Sequence, residues 1–216
     1  LISDGMVLQR DQPLKIWGWA FPKEKIELIF NKKTFKTTTS ENGKWEIQLP
    51  PQAAGTGMEM VLKGKNAIKL QNIAFGDVWL CSGQSNMVLP MERVKEKYPD
   101  DIATANYPDI RNFFVATLTE LNGPKEDFPQ GEWKAANPTN VLGFGAVTFF
   151  FARDIYEKTK IPIGIINSSV GGTPIEAWIS EEGFNSFLSI RKIVQKNKDT
   201  TYVNSFNRRP GFSQPR

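Results

Sequence analysis

The run Gly83-Gln84-Ser85-Asn86-Met87, directly after the apolar stretch Val78-Trp79-Leu80-Cys81, sets a serine where a strand is expected to end. A serine hydroxyl is a weak nucleophile until a neighbouring base takes its proton, most often an imidazole oriented by a carboxylate. The chain contains no histidine. These residues therefore describe the nucleophile half of an acyl-transfer site without its usual base. At the carboxyl end of a parallel strand and just ahead of a helix, Ser85 stands in the crevice where open α/β sheets bind ligands, with its backbone N–H directed there. Gly83 permits the tight turn, Asn86 is placed to hold the loop through hydrogen bonds to backbone groups, and Gln84 and Asn86 flank the serine as candidate substrate contacts. The competing reading is that Ser85 simply caps a helix.

A second constellation is Gly171-Gly172-Thr173-Pro174-Ile175-Glu176. Thr173 and Glu176 have capping-box spacing and Pro174 falls at the first helical position, which predicts a helix start. Glycines ahead of a positive helix terminus expose backbone N–H groups suited to an oxyanion. Gly171 and Gly172 are thus candidate oxyanion donors, Gly171 preferred, and Thr173 is a candidate substrate contact. The plainer reading is a capped helix with glycines chosen for turn geometry.

The elements that must position these groups divide near residue 75. Before it, period-two segments recur at Leu14–Trp17, Ile26–Phe30, Thr34–Thr37, Trp45–Leu49, Met58–Leu62 and Ile68–Leu70, broken by 31–33, 41–43 and 64–65. That pattern predicts hairpins of a small antiparallel β-sandwich over residues 1–75, with Asn42-Gly43 as its clearest turn. From 76 to 216 the spacing lengthens to α/β. Phe113–Val115 reads as a strand, and Val147 to Lys158 as a helix with Val147, Phe150, Phe151 and Ile155 on its apolar face. Ile161 to Ile166 reads as a strand covered on both faces. Residues 117–140, rich in proline, glycine and asparagine, read as a long irregular loop.

Three ordered blocks carry a family resemblance. Gly76 to Met87 resembles the nucleophile block of the sialate O-acetylesterase-like branch of the SGNH hydrolases. Ile163 to Trp178 resembles the strand, Gly-Gly-Thr turn and helix start of that family, and Met6-Val7-Leu8-Gln9-Arg10 its opening sequence. The resemblance implies a three-layer α/β/α esterase domain that removes acetyl groups from sugar hydroxyls through Ser85, with no metal or organic cofactor. It also implies an exported protein, secreted or periplasmic. Gly145-Ala146-Val147 departs from the Ser-Ala-Val common in relatives. The later Gln-Gly-Glu-Ser-Asn and Asp-x-x-His blocks are absent, and the tail Asn207-Arg208-Arg209-Pro210-Gly211 shows no trace of them. The expected partners are an acetylated glycan and a carboxyl-terminal half bearing the histidine and aspartate. Two alternatives are an acetylxylan or other polysaccharide acetylesterase, and a non-catalytic carbohydrate-binding or structural fragment displaying Trp17 and Trp19.

Composition narrows the remaining classes. A chain of 216 residues with 40% hydrophobic residues holds one substantial core or two small ones. The net charge of +4 is scattered and no nucleic-acid motif accompanies it, so nucleic acid is not an expected partner. No apolar run approaches the roughly 20 residues of a membrane helix. A start at Leu1 suggests an initial segment removed or not included. The single cysteine, Cys81, is expected to be a small buried residue of the strand leading to Ser85.

Overall fold

The computed structural model describes residues 1–118, 124–128 and 130–207. The period-two segments form β1 (Val7–Gln9), β2 (Leu14–Trp19), β3 (Lys25–Phe30), β4 (Lys33–Thr38), β5 (Lys44–Leu49), β6 (Gly55–Lys63) and β7 (Ala67–Gly83). Alternation translates directly into burial: Ile26, Leu28 and Phe30 of β3 face inward while Lys25 is exposed. Asn31 and Lys32, at φ 48° and 61°, make the two-residue turn that pairs β3 with β4. Asn42-Gly43 is a turn of another kind. Only Gly43 takes a positive φ, +80°, and the chain there passes from β4, which pairs with β3, to β5, which pairs with β2. The expected turn is present, and it hands the chain from one sheet to the other.

The α/β part comprises α1 (Ser85–Val88), α2 (Pro99–Ala103), β8 (Tyr107–Phe114), β9 (Trp133–Ala136), α3 (Ala146–Thr159) and β10 (Ile163–Ser169), followed by α4 (Leu188–Lys198) and α5 (Thr200–Asn207). Antiparallel β9 interrupts the loop expected over 117–140, because Trp133 packs its ring against Phe113 of β8 at 5.6 Å. Residues 119–123 and 129 of that loop lie outside the described residues, as do residues 208–211 of the tail.

One eight-stranded sheet runs β4-β3-β6-β7-β10-β8-β9, with β1 beside β7. Strands β7, β10 and β8 are mutually parallel. The expected division near residue 75 falls inside β7, a 17-residue strand that pairs antiparallel with β6 over its first part and parallel with β10 from Asp77 to Gly83. The described chain falls into two compact units, Leu1–Ala116 with Pro129–Gly171, and Thr117–Phe128 with the segment from Gly172 onward.

In the first unit, Ile16, Leu28, Leu49, Met60, Ile73 and Phe75 belong to one core, and Ile110, Val141, Phe144, Phe149, Ile163 and Ile165 to a second under α3. Each fully buried side chain of this size contributes roughly 1.5–3 kcal/mol of transfer free energy. The face of α3 follows its sequence pattern in part, since Phe150 and Ile155 pack against the second core as expected. Ala146, Thr148, Phe149 and Ala152 are buried, whereas Val147 is 51% and Phe151 39% exposed. Phe151 instead meets Trp79 edge-on at 5.0 Å, over the outer side of β7 where no further strand lies among the described residues.

Arg111 of β8 ties the two cores together. Its guanidinium donates to Pro108 O at 3.0 Å, Gly5 O at 2.9 Å, Asn72 Oδ1 at 3.1 Å and Asn72 O. Burial pushes its pKa down from the ordinary arginine value, and Asp109 at 3.9 Å acts in the opposite direction.

The junction inside β7 leaves no space for a side chain at Gly76, where a Cβ would stand 1.9 Å from Pro162 O. Gly76→Ala is therefore expected to destabilise the fold by about 2 kcal/mol or more, read as a lowered urea midpoint at unchanged slope.

Candidate active site

The turn after β7 is built around Gly83, whose φ of +141° is accessible to glycine and whose carbonyl accepts from Val170 N at 2.9 Å. This bond fastens the end of β7 to the residue following β10. The chain then enters α1, a single turn in which Ser85 is the first residue and Gln84 the cap. Ser85 is exposed, and its Oγ donates to Gln84 Oε1 at 2.8 Å. The carboxamide of Gln84 thus holds the hydroxyl in one rotamer. Asn86 is exposed and makes no side-chain hydrogen bond among the described residues, so the loop is held by backbone bonds.

Gly171 lies directly against this serine. A Cβ built there would stand 3.8 Å from Ser85 Cα and 3.9 Å from Ser85 Cβ. Gly172 differs: its φ of +76° demands glycine for the backbone, and a Cβ there would meet nothing within 4 Å. Gly171 is bare where it adjoins Ser85, and Gly172 serves the turn.

The helix expected at Pro174 is a 3-10 turn, Ile175–Trp178. Pro174 is extended at φ −73°, ψ 166°, and precedes the turn instead of opening it; no side chain caps it. Thr173 Oγ1 accepts from Trp178 Nε1 at 2.9 Å, an interaction that replaces the capping box with Glu176. Four residues of 3-10 geometry give little of the aligned dipole that an α-helix supplies. The helix dipole expected at this turn is therefore weak.

Sequence reasoning missed the supports beneath the turn. Asn167 of β10 is 1% exposed and accepts from Ser169 Oγ. Gly145 caps α3 where a Cβ would press Met87 O at 2.7 Å, Asn167 Nδ2 at 3.0 Å and Thr148 Oγ1 at 3.0 Å. The glycine singled out as a departure from Ser-Ala-Val therefore lets α3 approach α1 closely. A buried asparagine at the end of an apolar strand was the available signal.

No carboxylate bonds Ser85 among the described residues. Asp77, at the other end of the parallel part of β7, is held by Arg10 Nε at 2.8 Å, and Glu92 pairs with Lys95. The buried Cys81 has its thiol pKa pushed up by desolvation.

Against this geometry, the family model described as "Carbohydrate esterase, sialic acid-specific acetylesterase" matches residues 75–204. The chain belongs to that family. Sialate O-acetylesterase of Homo sapiens is 31% identical over 198 residues, covering 83% of this chain and 38% of the relative. That of Rattus norvegicus is 33% identical over 204 residues, covering 86% and 38%. The crystal structure of a carbohydrate acetylesterase from Xanthomonas citri superposes with a TM-score of 0.81 at 38% identity, over 84% of this chain and 42% of that one. The chain thus spans about two fifths of the length of these family members. Its mixed α/β architecture with a large central sheet accords with an α/β esterase fold.

Two outcomes follow from the site geometry. Native Cys81 should resist iodoacetamide at pH 8, since its raised pKa keeps the neutral thiol populated, and should alkylate fully in denaturant; equal rates in both states would contradict its burial. Gly171→Ala should leave stability within about 0.5 kcal/mol, whereas Gly172→Ala should cost about 1–2 kcal/mol because of its positive φ, a difference that parallel thermal melts resolve.

Proposed function

We propose that this chain carries the nucleophile portion of an exported carbohydrate O-acetylesterase of SGNH type, with Ser85 attacking acetyl esters on sugar hydroxyls. The observation that carries this reading is the bare Gly171 backbone set against an exposed Ser85 at the end of a parallel strand, within a chain of the acetylesterase family. In this reading β2, β5 and the antiparallel part of the main sheet form a small sandwich beside a three-layer α/β/α domain. A histidine oriented by an aspartate, both from outside these 216 residues, serves as base, because the chain contains no imidazole.

The steps follow acyl-transfer chemistry. The imidazole takes the Ser85 proton as Oγ bonds to the acetyl carbon, and the backbone N–H groups of Ser85 and Gly171 donate to the resulting oxyanion. The C–O bond to the sugar breaks and its oxygen takes the proton from the imidazolium. Water, deprotonated by the same base, then attacks the acetyl-enzyme and releases acetate, returning the proton to Oγ. Ser85 gives up two hydrogen bonds to Gln84 Oε1 in these steps, that from Oγ when the base engages the hydroxyl and that from its backbone N–H when the oxyanion forms.

Exposed apolar surface along β7 supports docking of the partner segment on that strand. Leu80 is 70% and Trp79 43% exposed, on opposite faces of the strand, and Phe151 of α3 meets Trp79 edge-on. From Trp79 to Gly83, the edge of β7 opposite β10 is unpaired among the described residues. An apolar, unpaired edge of this kind is a template for a further strand.

A fluorophosphonate should label the protein at Ser85 once the histidine-bearing portion is present, and Ser85→Ala should abolish both labelling and hydrolysis, a loss on the order of a millionfold in turnover. Near-normal hydrolysis by a folded Ser85→Ala protein would exclude Ser85 as nucleophile.

A further inference from the structure

A cavity of about 810 Å³ lies at the carboxyl end of β8, between that strand, β9 and the 3-10 turn Asn140–Gly143. Its volume falls in the range of small-molecule sites. Asn112 lines it, is 4% exposed, and its Oδ1 has no hydrogen-bond partner. A buried carbonyl left unpaired costs about 1–3 kcal/mol. Phe114 lies two residues on, hence on the same face of β8, and is 42% exposed. Asn140 also lines the cavity, its carboxamide fixed by a bond from Nδ2 to Ala135 O at 3.0 Å. Lys134 is the one cation among the described lining residues, and Glu132, also lining, holds its Nζ at 2.9 Å.

We infer that this cavity is a subsite for a neutral glycosyl unit of an oligosaccharide whose acetylated residue sits at Ser85, an inference that rests on the acetylesterase reading above. Carboxamides donate to and accept from sugar hydroxyls, and an exposed phenyl ring covers the C–H face of a pyranose. The described lining carries no net charge, Lys134 being offset by Glu132 in an exposed pair, so nothing in it favours an acidic sugar over a neutral one.

Position supports an extended ligand. β8 lies two strands from β7, roughly 10 Å across the sheet, and all three parallel strands end at the same side. In register, Phe114 stands opposite Asn167 and Asn167 opposite Cys81, four residues before Ser85. The cavity is therefore on the order of 15 Å from the nucleophile, a span that an oligosaccharide bridges and a monosaccharide does not.

Isothermal titration calorimetry on the Ser85→Ala chain separates binding from turnover. Of the neutral probes xylotetraose, cellotetraose and chitotetraose, at least one should bind, and an α2,8-linked sialic acid tetramer should bind at least tenfold more weakly. Phe114→Ala and Asn112→Leu should each reduce neutral-probe affinity at least tenfold, while Asn112→Leu leaves the melting temperature unchanged or raised, since it removes an unpaired buried carbonyl. Absence of binding by all three neutral probes, affinity unchanged in both variants, or equal affinity for the acidic tetramer would overturn the subsite. Fluorophosphonate labelling of Ser85 without neutral-probe binding would sink the subsite and leave the esterase reading standing. Neutral-probe binding that both variants lose, in a completed protein that resists labelling, would keep the site and reject the esterase.

Discussion

The structure depends on β7 being one uninterrupted strand with two sets of partners. Its first part closes the antiparallel region through β6, and its last part aligns the parallel region through β10. Any rotation at the junction would misplace Gly83 and the serine two residues later. The junction is locked by close approach and charge together: Gly76 admits Pro162, Arg10 holds Asp77, and the buried Arg111 joins Gly5, Asn72 and Pro108. A guanidinium buried among carbonyls is costly to desolvate and fixes geometry in return, since removing it would strand several acceptors at once.

Rigidity in β7 passes to the site through few residues. The Gly83 carbonyl bonds Val170, so the ends of β7 and β10 move as a unit and carry Ser85 and Gly171 with them. Gly145 and Asn167 fill the space below, which lets α3 sit close to α1. The resting serine points its proton at Gln84. An oxygen held in a defined rotamer beside an unencumbered backbone suits electrophile binding, whereas proton removal demands a group of higher basicity than any partner seen at Ser85.

Much of this was legible in the chain because the signals were local. Alternation at Ile26, Leu28 and Phe30 depends only on the strand period, and the continuous apolar run from Ile161 to Ile166, of which β10 takes the part from Ile163, only on burial of both sheet faces. The turn after β7 was legible because Gly83 needs its φ and Ser85 follows an apolar strand. What escaped was set by distant partners. The buried face of α3 matches its sequence pattern only in part, since Phe151 meets Trp79 of β7 while Phe150 and Ile155 pack against the core. The capping-box spacing at Thr173 gave way to a hydrogen bond from Trp178. The strand at Trp133 was hidden among prolines and glycines because its pairing with β8 is long-range. Asn112, whose Oδ1 has no partner, could be read in the sequence only as a polar residue within an apolar strand.

Ser85 is proposed here as a nucleophile poised for a base that these residues do not contain. The most direct measurement is hydrolysis of a generic acetyl ester by the purified 216-residue chain, its mass verified, alone and then completed with a histidine-bearing carboxyl-terminal segment. The account predicts background rates for the chain alone and turnover after completion that vanishes with Ser85→Ala. An ordinary enzymatic rate from the histidine-free chain, lost on Ser85→Ala, would contradict it and require a base within these residues.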